Sequence, residues 1–314
     1  MKKLLVIVGP TGTGKTDLGL KLAKKFNGEL VSADSRQIYI GMDIGTGKEI
    51  ESSKYDVKKN KGSWVVNGIP IHLYDVINPD KTFSVVEYQQ EALGKIKEIE
   101  NKGKLPILVG GTGLYVQAIV EGVNIPKVPP DSKLRAKLES KPLATLVSQL
   151  EQVDPKTAIK IDKQNPRRVI RALEVYYSSG QSFSSLEERF KVNFDSVQIG
   201  LTAPRDFLYK KVDDQIDDWF RVGFIEEVKK LISDGYDEKL PALTSLGYRQ
   251  VAMYLKGNLT IEEAKQRIKW EHHGYIRRQF TWFRKRKNIV WFDISDPDLI
   301  RQINAFIKAW LVQK

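Results

Sequence analysis

The sequence predicts an α/β fold in which a parallel-sheet core is interrupted by a mainly helical insertion. Three observations predict it. An apolar run, a glycine-rich turn and an amphipathic helix follow one another over residues 4–26. Two further apolar stretches, residues 29–33 and 105–109, end in polar or glycine-rich loops, as buried parallel strands do. After about Gly122 the strand signal gives way to helical spacing for some seventy residues.

Taken in order, residues 4–8 read as a buried strand and Gly9 to Gly14 as a turn. A helix then runs from Lys15 to about Phe26 with Leu18, Leu22 and Phe26 on one stripe. Residues 9–16, Gly-Pro-Thr-Gly-Thr-Gly-Lys-Thr, match G-x4-G-K-[ST] in the strand-to-helix setting that the motif's mechanics require, which makes the core P-loop NTPase-like. Within the diphosphate-binding run Gly9, Pro10, Thr11, Gly12, Thr13 and Gly14, the glycines would let backbone N–H groups converge on phosphate oxygens at the positive end of a helix dipole. Lys15 adds a mobile full charge, and Thr16 would set its hydroxyl on Mg²⁺ bridging a diphosphate. The loop does not say which molecule owns the diphosphate. The partner acid for Mg²⁺ is open as well, since strand-like runs end both at Asp34 and at Asp75.

The second apolar stretch leads into Asp34. Between residues 62 and 75, Asn67-Gly68 marks a tight hairpin, expected as a surface embellishment. Residues 84–101 have helical spacing, and Gly103 stops them. Residues 1–121 are thus expected to form the first part of the core. Pro126, Pro129 and Pro130 open a helical insertion over 122–195, and strands at 197–201 and 289–292 return the chain to the core within 196–314.

Lys and Arg number 51 against 39 Asp and Glu, a formal charge of +12 that favours a polyanionic partner. The excess concentrates at the carboxyl-terminal side. Residues 265–287 hold nine Lys or Arg against one acid, Glu271, with Trp270, Tyr275, Phe280, Trp282 and Phe283 interleaved. Such a composition suits phosphate contact and base stacking, although Ile268, Tyr275 and Trp282 recur at a seven-residue spacing that equally suits a core. Arg167 and Arg171 share a helix face, in keeping with RNA contact or with plain solvation. With no cysteine and only three histidines, His72, His272 and His273, thiolate chemistry and a zinc site are excluded. No secretory or membrane-spanning run is present, so a cytoplasmic address is expected.

The stretch of residues 34–46, Asp-Ser-Arg-Gln-Ile-Tyr-Ile-Gly-Met-Asp-Ile-Gly-Thr, together with Gly9-Pro10-Thr11, Gly110-Gly111-Thr112-Gly113-Leu114-Tyr115, the run from Arg167 to Val175 and Gln279-Phe280-Thr281-Trp282-Phe283-Arg284, closely resembles the tRNA dimethylallyltransferase family. The resemblance spans residues 4–293. It implies transfer of a dimethylallyl group from its diphosphate to N6 of the adenosine 3′-adjacent to the anticodon; Mg²⁺ at the phosphate loop, a monomer and no membrane partner are expected beside it. It also implies a channel entered by the prenyl diphosphate from one side and by the anticodon stem-loop from the other. Asp34 would take the amine proton within a catalytic set of Asp34, Lys15, Thr16 and Thr112. An RNA-facing set would comprise Asp34, Ser35, Arg36, Gln37, Thr112, Arg135, Arg167, Arg168, Arg171 and the run Thr244, Ser245, Leu246, Gly247, Tyr248 and Arg249. Two positions depart from the family's pattern: Gln215 and His273 stand where an Arg is usual, and Lys211 lies one turn before Gln215 on the same face. Rival readings are a free-adenylate prenyltransferase, an RNA-binding P-loop ATPase or kinase, and a non-catalytic RNA-binding module.

Overall fold

The computed structural model describes residues 2–123, 126–186 and 194–313. Its strands are β1 (Lys2–Val8), β2 (Gly28–Ser32), β3 (Val57–Asn60), β4 (Ser63–Val66), β5 (Ile69–His72), β6 (Leu105–Gly110), β7 (Phe194–Thr202) and β8 (Ile289–Asp293). They form one sheet in the order β3-β4-β5-β2-β6-β1-β7-β8. Every pairing from β5 to β8 is parallel, and β3-β4-β5 is an antiparallel meander. The central strands β1, β2 and β6 are apolar because helices cover both faces; Leu4 to Val8 are all fully enclosed.

The helices are α1 (Lys15–Phe26), α2 (Val85–Asn101), α3 (Gly113–Val120), α4 (Ser132–Glu139), α5 (Leu143–Val153), α6 (Pro155–Lys160), α7 (Pro166–Ser179), α8 (Phe183–Leu186), α9 (Arg205–Arg221), α10 (Phe224–Ser233), α11 (Tyr248–Leu255), α12 (Ile261–Arg284) and α13 (Leu299–Leu311). Helix α1 has the limits its periodicity predicts, with Leu18 and Leu22 buried against the sheet. Helix α2 starts at a capping box in which Ser84 and Glu87 satisfy one another's backbone N–H. Two compact units result: Met1–Val116 with Asn193–Lys314, and Gln117–Val192. The second unit holds no strand among its described residues. Its core gathers Leu138, Leu146, Leu150, Val169 and Leu173.

The Asn67-Gly68 hairpin forms as expected, with both residues at positive φ (50° and 77°), but it is not a surface embellishment. Strand β5 pairs in parallel with β2, Leu30 beside Ile71 and Val31 beside His72, so the hairpin extends the main sheet. Trp64 on β4 is completely buried. Its indole N–H donates to Asp75 Oδ2 at 2.7 Å, and Asp75 Oδ1 accepts from Lys48 Nζ at 2.5 Å. The Lys48 ammonium is itself buried and also donates to Asp43 and to the Tyr39 carbonyl, both at 2.9 Å. Asp75, one of two acids expected as a partner for Mg²⁺, is therefore taken up in pinning the hairpin to the loop after β2.

Candidate active site

Three loops meet at the carboxyl ends of adjacent strands: residues 9–14 after β1, 33–36 after β2, and 111–112 after β6, which lies between the other two. This is where ligands sit in open parallel sheets. The loops are tied directly. The Ala33 N–H donates to Val109 O (2.7 Å), the Thr112 N–H to Ala33 O (3.1 Å) and the Ser35 N–H to Thr112 Oγ1 (3.1 Å). Asp34 Oδ1 accepts the Arg36 N–H at 2.8 Å, closing a turn that holds the carboxylate while leaving its second oxygen outside that bond. The glycines allow close approach: a Cβ on Gly110 would lie 2.2 Å from Ala33 O, and one on Gly9 2.6 Å from Leu201 O.

A fourth element locks the loops together. Gln279 on α12 is buried; its Oε1 accepts the Thr11 N–H (2.9 Å) and the Thr11 hydroxyl (3.3 Å), and its Nε2 donates to Gly111 O (3.1 Å). One amide thus joins the phosphate loop to the loop after β6. One turn earlier on α12, burial together with the Asp34 charge pushes the Tyr275 phenol well above the usual range.

Lys15 Nζ donates to Pro10 O at 2.8 Å. Burial lowers its pKa to about 8; the Asp34 carboxylate opposes that fall and the Lys211 ammonium adds to it. Asp34 and Lys15 follow the carboxyl ends of β2 and β1, the two neighbours of β6. Lys211 is close enough to bring a second cation to the loop, on the α9 face that also carries Gln215. His273, at the other position where the family usually has Arg, stacks on Tyr209 with ring centroids 4.1 Å apart and bonds Asp213 Oδ1 at 2.8 Å.

One acid in this region carries no sequence signal. Glu49 follows Lys48 in a Gly-Thr-Gly-Lys-Glu run, yet its carboxylate is buried against α1. Tyr74 Oη donates to its Oε2 at 2.8 Å. Burial raises its pKa to about 6 against the pull of the Tyr74 hydrogen bond, and nearby Asp17 raises it further.

The structure redistributes the expected RNA-facing residues. Ser35 and Arg36 stand with Asp34 at the loops, half-buried, with Arg36 Nη1 donating to Pro241 O at 2.9 Å. Gln37 turns inward, its Oε1 accepting from Ser32 Oγ at 2.8 Å. In the 244–249 run, Thr244 and Arg249 are exposed and Leu246 is half-buried. Tyr248 is fully enclosed and donates to Glu227 Oε1 at 2.7 Å, Ser245 bonds the Ala242 carbonyl, and Gly247 is packed against Phe224. Ser245, Gly247 and Tyr248 are buried, whereas Thr244 and Arg249 offer the exposed side chains of this run. In the second unit Arg167 and Arg168 are exposed. Arg135 and Arg171 instead converge on the fully buried Glu174, Arg135 in a fork of 2.7 and 2.9 Å and Arg171 at 2.5 Å. Both guanidiniums are thereby committed to internal pairing. Of the aromatics in the basic stretch, Phe280 and Phe283 are core, Tyr275 and Trp282 are half-buried, and Trp270 is exposed.

A family model described as IPP transferase matches residues 37–286. The chain belongs to the IPP transferase family. Among curated IPP transferase relatives, the tRNA dimethylallyltransferase of Thermomicrobium roseum is 41% identical over 99% of this chain and 92% of its own length. That of Chloroflexus aggregans is 43% identical over 95% of this chain and 98% of its own. The crystal structure of the full-length tRNA isopentenylpyrophosphate transferase from Bacillus halodurans is 39% identical, with a TM-score of 0.72, over 99% of this chain and 97% of that one. A eukaryotic dimethylallyltransferase captured acting on tRNA is 26% identical with a TM-score of 0.77, covering 98% of this chain and 80% of that one. No helix among the described residues is long and apolar enough to cross a membrane.

Proposed function

We propose that this IPP transferase moves the dimethylallyl group of dimethylallyl diphosphate onto N6 of the tRNA adenosine 3′-adjacent to the anticodon, with Asp34 as base. The observation that carries this reading is the tying of the Asp34 loop to the phosphate loop through the loop after β6: the Ser35 N–H donates to Thr112 Oγ1 at 3.1 Å, and Gln279 joins Thr11 to Gly111. It sets a proton acceptor beside an anion-binding cradle, as attack by a weakly nucleophilic exocyclic amine requires. The nitrogen–carbon bond forms as the carbon–oxygen bond to diphosphate breaks, the electron pair leaves with the diphosphate, and the amine proton passes to Asp34.

Gly12, Gly14 and Lys15 supply backbone N–H groups, and the Lys15 ammonium, released from the Pro10 carbonyl, places its charge on the departing diphosphate. Among the described residues no three His, Asp or Glu side chains gather into a metal cage. The oxygen donors at Thr16 nevertheless suit a hard cation that takes most of its ligands from phosphate and water. Mg²⁺ held there would neutralise charge on the diphosphate. Thr112 fixes the loop beside Asp34 through the Ser35 N–H. Exposed Arg167, Arg168 and Arg249 and the basic face of α12 offer charge to RNA phosphates.

The test is incubation with dimethylallyl diphosphate, Mg²⁺ and unmodified tRNA, with AMP as a competing acceptor, followed by nucleoside mass analysis. One dimethylallyl mass on a tRNA adenosine is expected. Modified AMP alone, or no added mass, overturns the proposal.

A further inference from the structure

Trp270 is 62% exposed midway along α12, although indole is the largest side chain a core can use. The helix buries Ala264, Ile268, His272, Ile276, Gln279 and Phe283. Trp270, Gly274, Arg277 and Thr281 recur at i, i+4, i+7 and i+11, a separate stripe turned away from that buried face. Gly274 is its unexpected member. An interior glycine weakens a helix relative to alanine, and packing does not call for one here. Its backbone is not left-handed, and an added Cβ would meet only the mobile ends of two arginines, Arg278 Nη1 at 3.3 Å and Arg277 Nη2 at 3.7 Å. Two guanidiniums thus converge over bare backbone one turn, about 5.4 Å, beyond the indole. Each is aimed by an aromatic neighbour: Arg277 Nη1 donates to Tyr209 Oη at 3.2 Å, and the Arg278 guanidinium lies 5.7 Å from the Tyr275 ring centre. Neither pairs with a carboxylate among the described residues. Arg267, one turn before Trp270, is exposed as well, and the adjacent acid, Glu271, is taken by Arg249 at 2.6 Å.

We propose that Trp270, Gly274, Arg277 and Arg278 form a nucleotide slot: the indole stacks on an unpaired base of the tRNA anticodon loop, the glycine lets the sugar–phosphate chain lie against the helix, and the two guanidiniums take the neighbouring phosphate. This inference rests on the proposed action on tRNA and adds one contact to it. Every base offers a π-face to the indole, and a phosphate accepts the charge-assisted hydrogen bonds that no internal carboxylate takes up. A second copy of the chain is a poor occupant, because it would set the same cations against one another.

The probes are an unmodified anticodon stem-loop RNA and a blunt RNA duplex of the same length with no loop, titrated by fluorescence anisotropy over a range of salt. Trp270→Ala should weaken the stem-loop about tenfold and leave both the duplex and the slope of log affinity against log salt unchanged, since a stack is lost and no phosphate contact is. Trp270→Phe should recover most of that loss. Gly274→Leu should weaken the stem-loop by a similar factor while its thermal unfolding midpoint holds or rises, the reverse of a structural lesion. Arg277→Gln with Arg278→Gln should weaken both RNAs and flatten the salt slope. Full stem-loop affinity in Trp270→Ala or Gly274→Leu, a loss shared equally by the duplex in Trp270→Ala, or an unchanged salt slope in the arginine pair overturns the inference and leaves the proposed function standing. A wild type that binds neither RNA overturns both.

Discussion

The Gln279 link allows a quantitative test of how the two glycine loops are held together. A Cβ added at Gly111 would lie 2.3 Å from Gln279 Nε2, where about 3.5 Å is comfortable, so the amide must retreat by roughly 1 Å. Gly111 does not use left-handed backbone, so an alanine there meets this side chain and little else. A retreat of that size breaks the bonds to the Thr11 N–H, the Thr11 hydroxyl and Gly111 O. At about 1 kcal/mol net each, Gly111→Ala should cost roughly 2–3 kcal/mol, and Gln279→Ala a similar amount. Both remove the same three bonds, so the double variant should cost little more than either single one, a coupling of about 2 kcal/mol. Urea unfolding at constant slope measures the cycle, and calorimetric titration with inorganic diphosphate follows the phosphate loop in parallel. Losses that add to within about 0.5 kcal/mol would refute the idea that one amide joins the two loops.

Other consequences are equally direct. Asp34→Ala should lower the rate of prenyl transfer by roughly 10²–10⁴-fold without weakening diphosphate binding, read by single-turnover nucleoside analysis beside calorimetry; parallel loss of both would mean that Asp34 only shapes the loop. The Lys15 ammonium has a pKa of about 8, so diphosphate affinity should decline as pH rises through that value, and Lys15→Ala should flatten the profile. Buried Glu29 is driven up by desolvation, yet Lys104, His72 and Lys102 hold it down to about 2. A depressed folded-state pKa means that its stabilisation is complete above the ordinary value of 4.5 and disappears as pH falls toward 2. Glu29→Gln should therefore cost about 3 kcal/mol at neutral pH and weaken acid sensitivity in that window, measured by denaturant unfolding against pH. Affinity for tRNA should fall by roughly 10³-fold between low and moderate salt, and a flat profile in a filter-binding series would rule out a grip through many phosphates.

Much of this protein could be read in one dimension because its physics is local there. A phosphate loop needs contiguous glycines, a lysine and a threonine between a strand and a helix, and residues 9–16 supply them in line; α1 then begins at Lys15 as its spacing predicts. Apolar runs ending in loops placed β1, β2 and β6 with the Asp34 and Thr112 turns at one end, since parallel strands buried on both faces have no polar alternation to hide them. Asn67-Gly68 predicted the hairpin's turn but not its fate, because turn chemistry is local while pairing with β2 depends on which edge the sheet leaves open. What tertiary structure alone decided was the partner of each long polar side chain. Glu49 accepts from Tyr74 Oη 25 residues away, and Gln279 reaches Thr11 across 268. Arg135 and Arg171 turn onto buried Glu174, and Tyr248 is sealed beneath Glu227. A charge or amide removed from water must find whatever complementary group folding brings within about 3 Å, and no spacing rule along the chain encodes that choice.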